Sequence, residues 1–396
     1  MSDLRAQSFQ APPDIDRLMR NAGVLGVIGL IATVIGALTN PEQFFRSYLV
    51  GYLFVLALPL GSLVLMMVHY LSGGAWGLAV RRPFEAASRT LPLMALLFIP
   101  VILGMHSLYE WTHADVVAND PIIRYKTPYL NQGFFILRAV FYFAVWCTLA
   151  LVLTRWSKAQ DAHPTPPPAD EKFRRVAAPG ILLYAICITF ASFDWVMSLD
   201  PHWFSTIFGL LFMVGQGVSA LAFTIGIAFV LSRTAPMDHV LTPAKFHDYG
   251  KLLFAFVMLW AYLSFSQFLI IWSANLPEEI PWYIRRFSNG WGPVSLALAL
   301  GHFCLPFLIL LSRDIKRQAS RLALVAAFVL VMRFIDLYWL ISPQFHHEQF
   351  RLHWLDLAVV VGLFGTWLAV YCWNLKGRAL VPVGDPYMEE ALADGH

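Results

Sequence analysis

Four ionisable side chains stand well inside long apolar runs: Arg138 in "FFILRAVFYF", Asp194 in "SFDWVM", and Arg333 with Asp336 in "VMRFIDLYWL". A charge in hydrocarbon costs roughly 2.5–3.5 kcal/mol even on lenient scales, so each requires a partner or water. Two are cationic and two anionic, and Arg333 and Asp336, three residues apart, share one helical face. Two chemistries are open to such a set. One is a neutral ion-pair network that holds helices in register; the other is a polar pocket that binds a ligand or passes protons. Asp194 has Arg138 and Arg333 as candidate partners across the helices. Gln267, His106 and His302 are further candidates for the same polar region. A separate polar group lies at the opposite end of the runs, with His69 of "MMVHYLSGG", Arg81, Arg82 and Glu85.

No set of catalytic residues stands out. Cys147, Cys187, Cys304 and Cys372 lie singly in different apolar runs, and their spacing suits neither zinc nor an iron–sulfur cluster. A bis-histidine haem needs two histidines at matching depth. His69, His106 and His302 differ in depth, and there is no C-x-x-C-H. Phosphate-loop, H-E-x-x-H and G-x-S-x-G motifs do not occur. No metal or cofactor is therefore assigned to this chain.

The elements that must position these charges are membrane helices. Of 396 residues 58% are hydrophobic and only 13% charged, against about 25% charged in soluble domains. Ten apolar runs are long enough to cross a hydrocarbon core of about 30 Å: 22–39, 47–71, 90–108, 132–154, 178–198, 205–231, 250–274, 293–312, 321–341 and 354–374. The fold class is all-α integral membrane protein. It divides into an N-terminal segment 1–21, a polytopic domain 22–374 with a proline-rich linker at 155–177, and a tail 375–396, whose end "DPYMEEALADGH" (385–396) reads as acidic and mobile. At about 1.5 Å per residue, Arg138, Asp194, Arg333 and Asp336 lie about 10, 6, 12 and 8 Å below one and the same face.

Twenty of the 28 Lys and Arg flank the other face, and six flank this one. By the positive-inside rule both termini are cytoplasmic. The polar start "MSDLRAQSFQAPPDIDRLMRN" predicts no cleaved signal peptide. No basic patch with stacking aromatics points to nucleic acid. In "DPHW", Asp200 reads as an N-cap and Pro201 as the first helical residue. Pro41, Pro128 and Pro277 likewise read as helix openers, with Glu278 and Glu279 complementing a helix N-terminus. Trp195, Trp203, Trp272, Trp282 and Trp291 read as interfacial anchors.

Four long segments carry a resemblance: "GSLVLMMVHYLSGGAWGLAVRRPFEAASRTLPL" (61–93), "SFDWVMSLDPHWFSTIFG" (192–209), "SFSQFLIIWSANLPEEIPWYIRR" (264–286) and "GHFCLPFLILLSR" (301–313). From about residue 40 onward the chain resembles the ten-helix, polysulfide-reductase-type membrane subunit of alternative complex III that is known as its second quinone-binding subunit. That complex is a bacterial quinol:cytochrome c oxidoreductase. The resemblance implies two four-helix bundles plus two peripheral helices in the bacterial inner membrane. It implies a subunit with no redox centre of its own and quinol or quinone as substrate of the complex. The implied partners are a sister quinol-binding membrane subunit, a periplasmic iron–sulfur subunit, multihaem cytochrome c subunits and a terminal oxidase. The resemblance leaves open whether this subunit contributes a quinol-facing wall, a proton path or a scaffold. A proton-coupled secondary transporter is the alternative outside the family. It would show matched, Gly/Pro-broken helices in two halves; Pro100 and Pro306 form no such pair.

Overall fold

In hydrocarbon every backbone polar group must be satisfied within the segment, and this chain does so with helices. The computed structural model describes residues 9–162, 171–346 and 349–388. The proline cluster at 163–170 and the ends 1–8 and 389–396, on which parts of the linker, N-terminal and tail expectations fall, lie outside the described residues. Among the described residues ten helices are long and apolar enough to cross a membrane. They are α1 Pro13–Thr39, α2 Pro41–Ser72, α3 Arg81–Leu103, α4 Gln132–Ala162, α5 Glu171–Leu199, α6 Phe208–Leu231, α7 Pro243–Ala274, α8 Gly292–Leu311, α9 Ala319–Gln344 and α10 Trp354–Lys376. Ten crossings return both ends to one face, called here the terminal face. There the Leu380 N–H donates to Phe9 O at 2.8 Å, and Lys376 pairs with Asp16.

Helices α2–α5 pack as one four-helix group and α6–α9 as a second. The two groups meet along α2 and α6. The apolar windows of those two helices are 94% and 83% buried, against 22–56% for the others, as expected for helices hydrophobic all round. Gly61 permits the close crossing: a Cβ there would lie 2.1 Å from Gln216 O. Helix α1 pairs with α10 on the periphery through Gly26, Gly29, Gly362 and Gly365. A Cβ on Gly29 would sit 2.3 Å from Gly362 N, the small-residue contact typical of membrane helices. The two bundles and the peripheral pair match the arrangement the resemblance implies.

Prolines shape the irregular spans. Pro92 and Pro100 divide α3 into the segments Arg81–Ser88, Leu91–Leu96 and Ile99–Leu103. In α8 a π-helical segment, Leu298–Cys304, precedes Pro306. Pro306 has no N–H for the carbonyl four residues back, and the wider turn accommodates its ring.

Several loop expectations are corrected. Asp200 closes a short 3-10 turn, Met197–Leu199, and α6 starts only at Phe208, so Asp200 is no N-cap and Pro201 opens no helix. Pro128 lies in a turn; Asn131 caps α4 by accepting from the Phe134 N–H at 2.9 Å. Pro277 also lies in a turn, and Pro281 opens a short connecting helix, Pro281–Phe287, with Glu278 and Glu279 just ahead of it. Pro41 does open α2, with Asn40 Oδ1 accepting from the Gln43 N–H. Of the five tryptophans only Trp272 is exposed; Trp195, Trp203, Trp282 and Trp291 are buried against protein. Helix α1 begins at Pro13, so the polar residues Asp14–Arg20 form its first turns. Leu380 and Val381 are fully buried, and Asp385 and Met388, at the start of the stretch expected to be mobile, are buried as well.

Candidate functional site

The four membrane charges form two separate pairs, one in each bundle. In the first, Arg138 of α4 grips Asp194 of α5 with two parallel bonds, Nε to Oδ2 at 2.8 Å and Nη2 to Oδ1 at 2.9 Å. The Tyr142 hydroxyl donates to Oδ2 at 2.8 Å. Arg138 Nη1 donates to Tyr129 O at 2.9 Å, and the Tyr129 ring lies 3.9 Å from the guanidinium. Asp194 is fully buried. A bidentate arginine–carboxylate pair with its remaining contacts filled is a geometric clamp.

The second pair lies within α9. Arg333 Nη1 contacts Asp336 Oδ2, and the indole N–H of Trp260 on α7 donates to the same oxygen at 3.1 Å. The guanidinium rests against α6 at Gly215, where a Cβ would come within 2.3 Å of Nη2. Arg333 and Asp336 line a cavity of about 510 Å³ bounded by α7, α8, α9 and the Pro281–Phe287 helix. Its walls are mainly apolar and aromatic, including Phe268, Tyr283, Phe303 and Trp339. Gln267 also lines it; its Oε1 accepts from Ser205 Oγ at 2.7 Å, and its Nε2 donates to the Tyr283 hydroxyl oxygen at 3.3 Å. Burial pushes the Tyr283 phenol up to about 12, so its own proton stays in place as a donor. Exposed Tyr262, Phe265 and Phe287 form the cavity's outer rim. The cavity therefore opens sideways, between α7 and the first half of α8, on the apolar flank of the molecule.

His302, on the π segment, is fully buried and packs its ring 4.0 Å from Trp260, behind the cavity wall; neither ring nitrogen has a partner among the described residues. His106 joins neither pair. It is exposed on the loop side and stacks on His113 at 3.9 Å. Asp200 has a different task from capping: it pairs with Arg285 of the Pro281–Phe287 helix, which also donates to Gln344 Oε1 at 2.9 Å. That chain ties the α5–α6 linker to the short helix and the end of α9. Arg286 is fully buried and donates to the carbonyls of Trp282, Trp339 and Leu340 at 2.9, 3.2 and 2.7 Å, capping the end of α9.

At the terminal face Arg81, Arg82, Glu85 and His69 are all buried. Arg82 binds Glu85 at 2.5 Å, Ser157 at 3.0 Å, and Asp161. Arg378 of the tail reaches Glu85 and Thr154 O, both at 3.0 Å, and Arg81 binds Asp385 at 2.6 Å. His69 Nε2 donates to Gly74 O at 3.1 Å and takes no part in the ionic set. These bonds staple the tail to the first bundle, a structural arrangement.

Sequence reasoning missed Trp260 and Tyr283 at the cavity, and Asp161, Arg378 and Asp385 at the terminal face. Trp260 was within reach, because it stands seven residues from Gln267 and so on the same helical face. Asp385 sits in a loop with no periodic signal. The chain matches no model of a known protein family, and no curated protein matches it either.

Proposed function

We propose that this chain is a membrane subunit of a bacterial respiratory quinol:cytochrome c oxidoreductase of the alternative complex III type. In this reading the α7–α9 cavity takes the quinol and its terminal face is cytoplasmic. The supporting observation is the cavity itself: about 510 Å³, aromatic-walled, open on the apolar flank, with a few converging polar groups. That is the usual composition of a small-molecule site. A quinol ring would stack among the aromatic side chains and pass its apolar tail between Tyr262 and Phe265 into lipid. The Asp336 carboxylate would accept from a ring hydroxyl, oriented by Trp260 and Arg333, and Tyr283 would donate to the second ring oxygen. Redox chemistry belongs to haem and iron–sulfur partners in this reading. The Arg138–Asp194 clamp, which lies in the other bundle, holds α4 to α5.

Gentle-detergent purification of the tagged chain from its native membrane tests the assembly. Co-purifying multihaem subunits with quinol:cytochrome c activity are the expected result. A solitary, haem-free chain under conditions that keep known respiratory complexes intact refutes it. For the cavity, D336N and Q267L are expected to weaken binding of a quinol analogue. Wild-type binding in both variants refutes this location.

A further inference from the structure

The short helix Pro281–Phe287 has two working faces. Tyr283 and Phe287, four residues apart, line the α7–α9 cavity. Trp282 and Arg285, three apart, meet the α5–α6 linker, residues 200–207. There the Trp282 ring stacks on Trp203, with centroids 4.5 Å apart and planes 10° from parallel, and both residues are buried. Arg285 binds the Asp200 carboxylate and, with another nitrogen, Gln344 Oε1 at 2.9 Å. A third linker residue reaches the same tyrosine by a separate route. Ser205 Oγ donates to Gln267 Oε1 at 2.7 Å, and Gln267 Nε2 donates to the Tyr283 hydroxyl oxygen at 3.3 Å. The phenolic oxygen is thus engaged as an acceptor, and its own hydrogen is left for a ligand in the cavity.

None of Asp200, Trp203 and Ser205 lines the cavity; they back its wall. Arg286 ties the short helix to α9 at the carbonyls of Trp339 and Leu340. The linker adds a second, independent attachment, and two attachments fix the roll of the helix and with it the place of Tyr283. A donor displaced by about an ångström loses most of its hydrogen bond. We propose that Asp200 and Ser205, with Trp203, are positioning residues of the cavity. Asp200 and Trp203 set the roll of the Pro281–Phe287 helix, and Ser205 sets, through Gln267, the direction in which the Tyr283 hydroxyl donates to a ring oxygen of the ligand. The proposal rests on the reading of the cavity as a quinol site.

Binding of a decyl-tailed benzoquinol to the full chain in nanodiscs, with hydrogen–deuterium exchange of the ligand-free protein, tests this. D200N, R285Q and S205A are each expected to weaken binding roughly three- to tenfold, the worth of one hydrogen bond. In a Y283F background the same substitutions are expected to change affinity by less than about twofold, because they act through that hydroxyl. A general loosening of the cavity would act equally in both backgrounds, and that result overturns the positioning role. D120N alters the same linker's contact at His202 and is expected to bind as wild type; weakening equal to that of D200N would assign the effect to the linker as a whole and overturn the proposal. Exchange of the 281–287 amides is expected to quicken in D200N and R285Q; unchanged exchange overturns the attachment. Wild type that binds no benzoquinol refutes the quinol reading, and the exchange result then decides by itself whether the linker holds the helix.

Discussion

Asp194→Asn removes one half of a bidentate ion pair and leaves the other half buried. Asp194 is 0% and Arg138 8% exposed, so water screens the pair little. Breaking a buried pair by removing one partner costs about 3–5 kcal/mol. A second route gives a similar figure. Three side-chain hydrogen bonds end on Asp194; interhelical bonds in membranes average about 0.6 and reach about 1.7 kcal/mol, so three contribute about 2–5 kcal/mol. Arg138→Met alone is expected to cost a comparable amount, because Asp194 is then left buried without its cationic partner. The double variant, with neither charge, is expected to lose less than about 2 kcal/mol relative to wild type. Equilibrium unfolding in bilayer mimetics across the four proteins reads the coupling. Single costs below about 1 kcal/mol that add within about 0.5 kcal/mol refute the clamp. Asp194 would then be free to act as a proton carrier.

Gly215→Ala is expected to displace the Arg333 guanidinium and weaken quinol-analogue binding, whereas Gly226→Ala, with nothing within 4 Å of its added carbon, should bind as wild type and unfold no more easily. Gly23→Cys with Ala369→Cys is expected to form a disulfide on mild oxidation, because the two Cβ atoms lie 3.9 Å apart, within bridging range; failure to cross-link would contradict the α1–α10 pairing. Asp385→Asn is expected to release the tail from Arg81 and make residues 377–388 cleavable by added protease while the helices stay intact; an uncleaved tail would show that burial of Leu380 and Val381 suffices. His302→Leu replaces a fully buried ring, whose two nitrogens have no partner among the described residues, by an apolar side chain, so stability should hold or rise by about 1–3 kcal/mol; a clear loss would reveal a bonded ring.

The ten spans, the gathering of Arg138, Asp194, Arg333 and Asp336 toward one face, and the closeness of Gln267 to that polar region were legible in the residues themselves. Hydropathy and helical rise act along one chain, and the cost of a buried charge attaches to the residue that carries it. Helix openings were less legible. Pro41 opens α2 because Asn40 can cap it, but Pro128 and Pro277 stand in turns because caps and openers nearer the helices, Asn131 and Pro281, take over. Asp200 looked like a cap until the Pro281–Phe287 helix brought Arg285 to it.

The residues alone thus determined that this chain is a ten-span helical membrane protein with charges that require partners. Only the tertiary structure decided who those partners are. Asp194 had two arginines at compatible depths, and the choice of Arg138 follows from α4 lying beside α5 in one bundle while α9 lies in the other. The same packing put Trp260 and Asp336 on a shared cavity and left Asp194 outside it. Depth in the membrane is a property of each helix by itself; adjacency depends on side-chain shape across all ten, as where Gly61 and Gly215 let backbone and guanidinium approach.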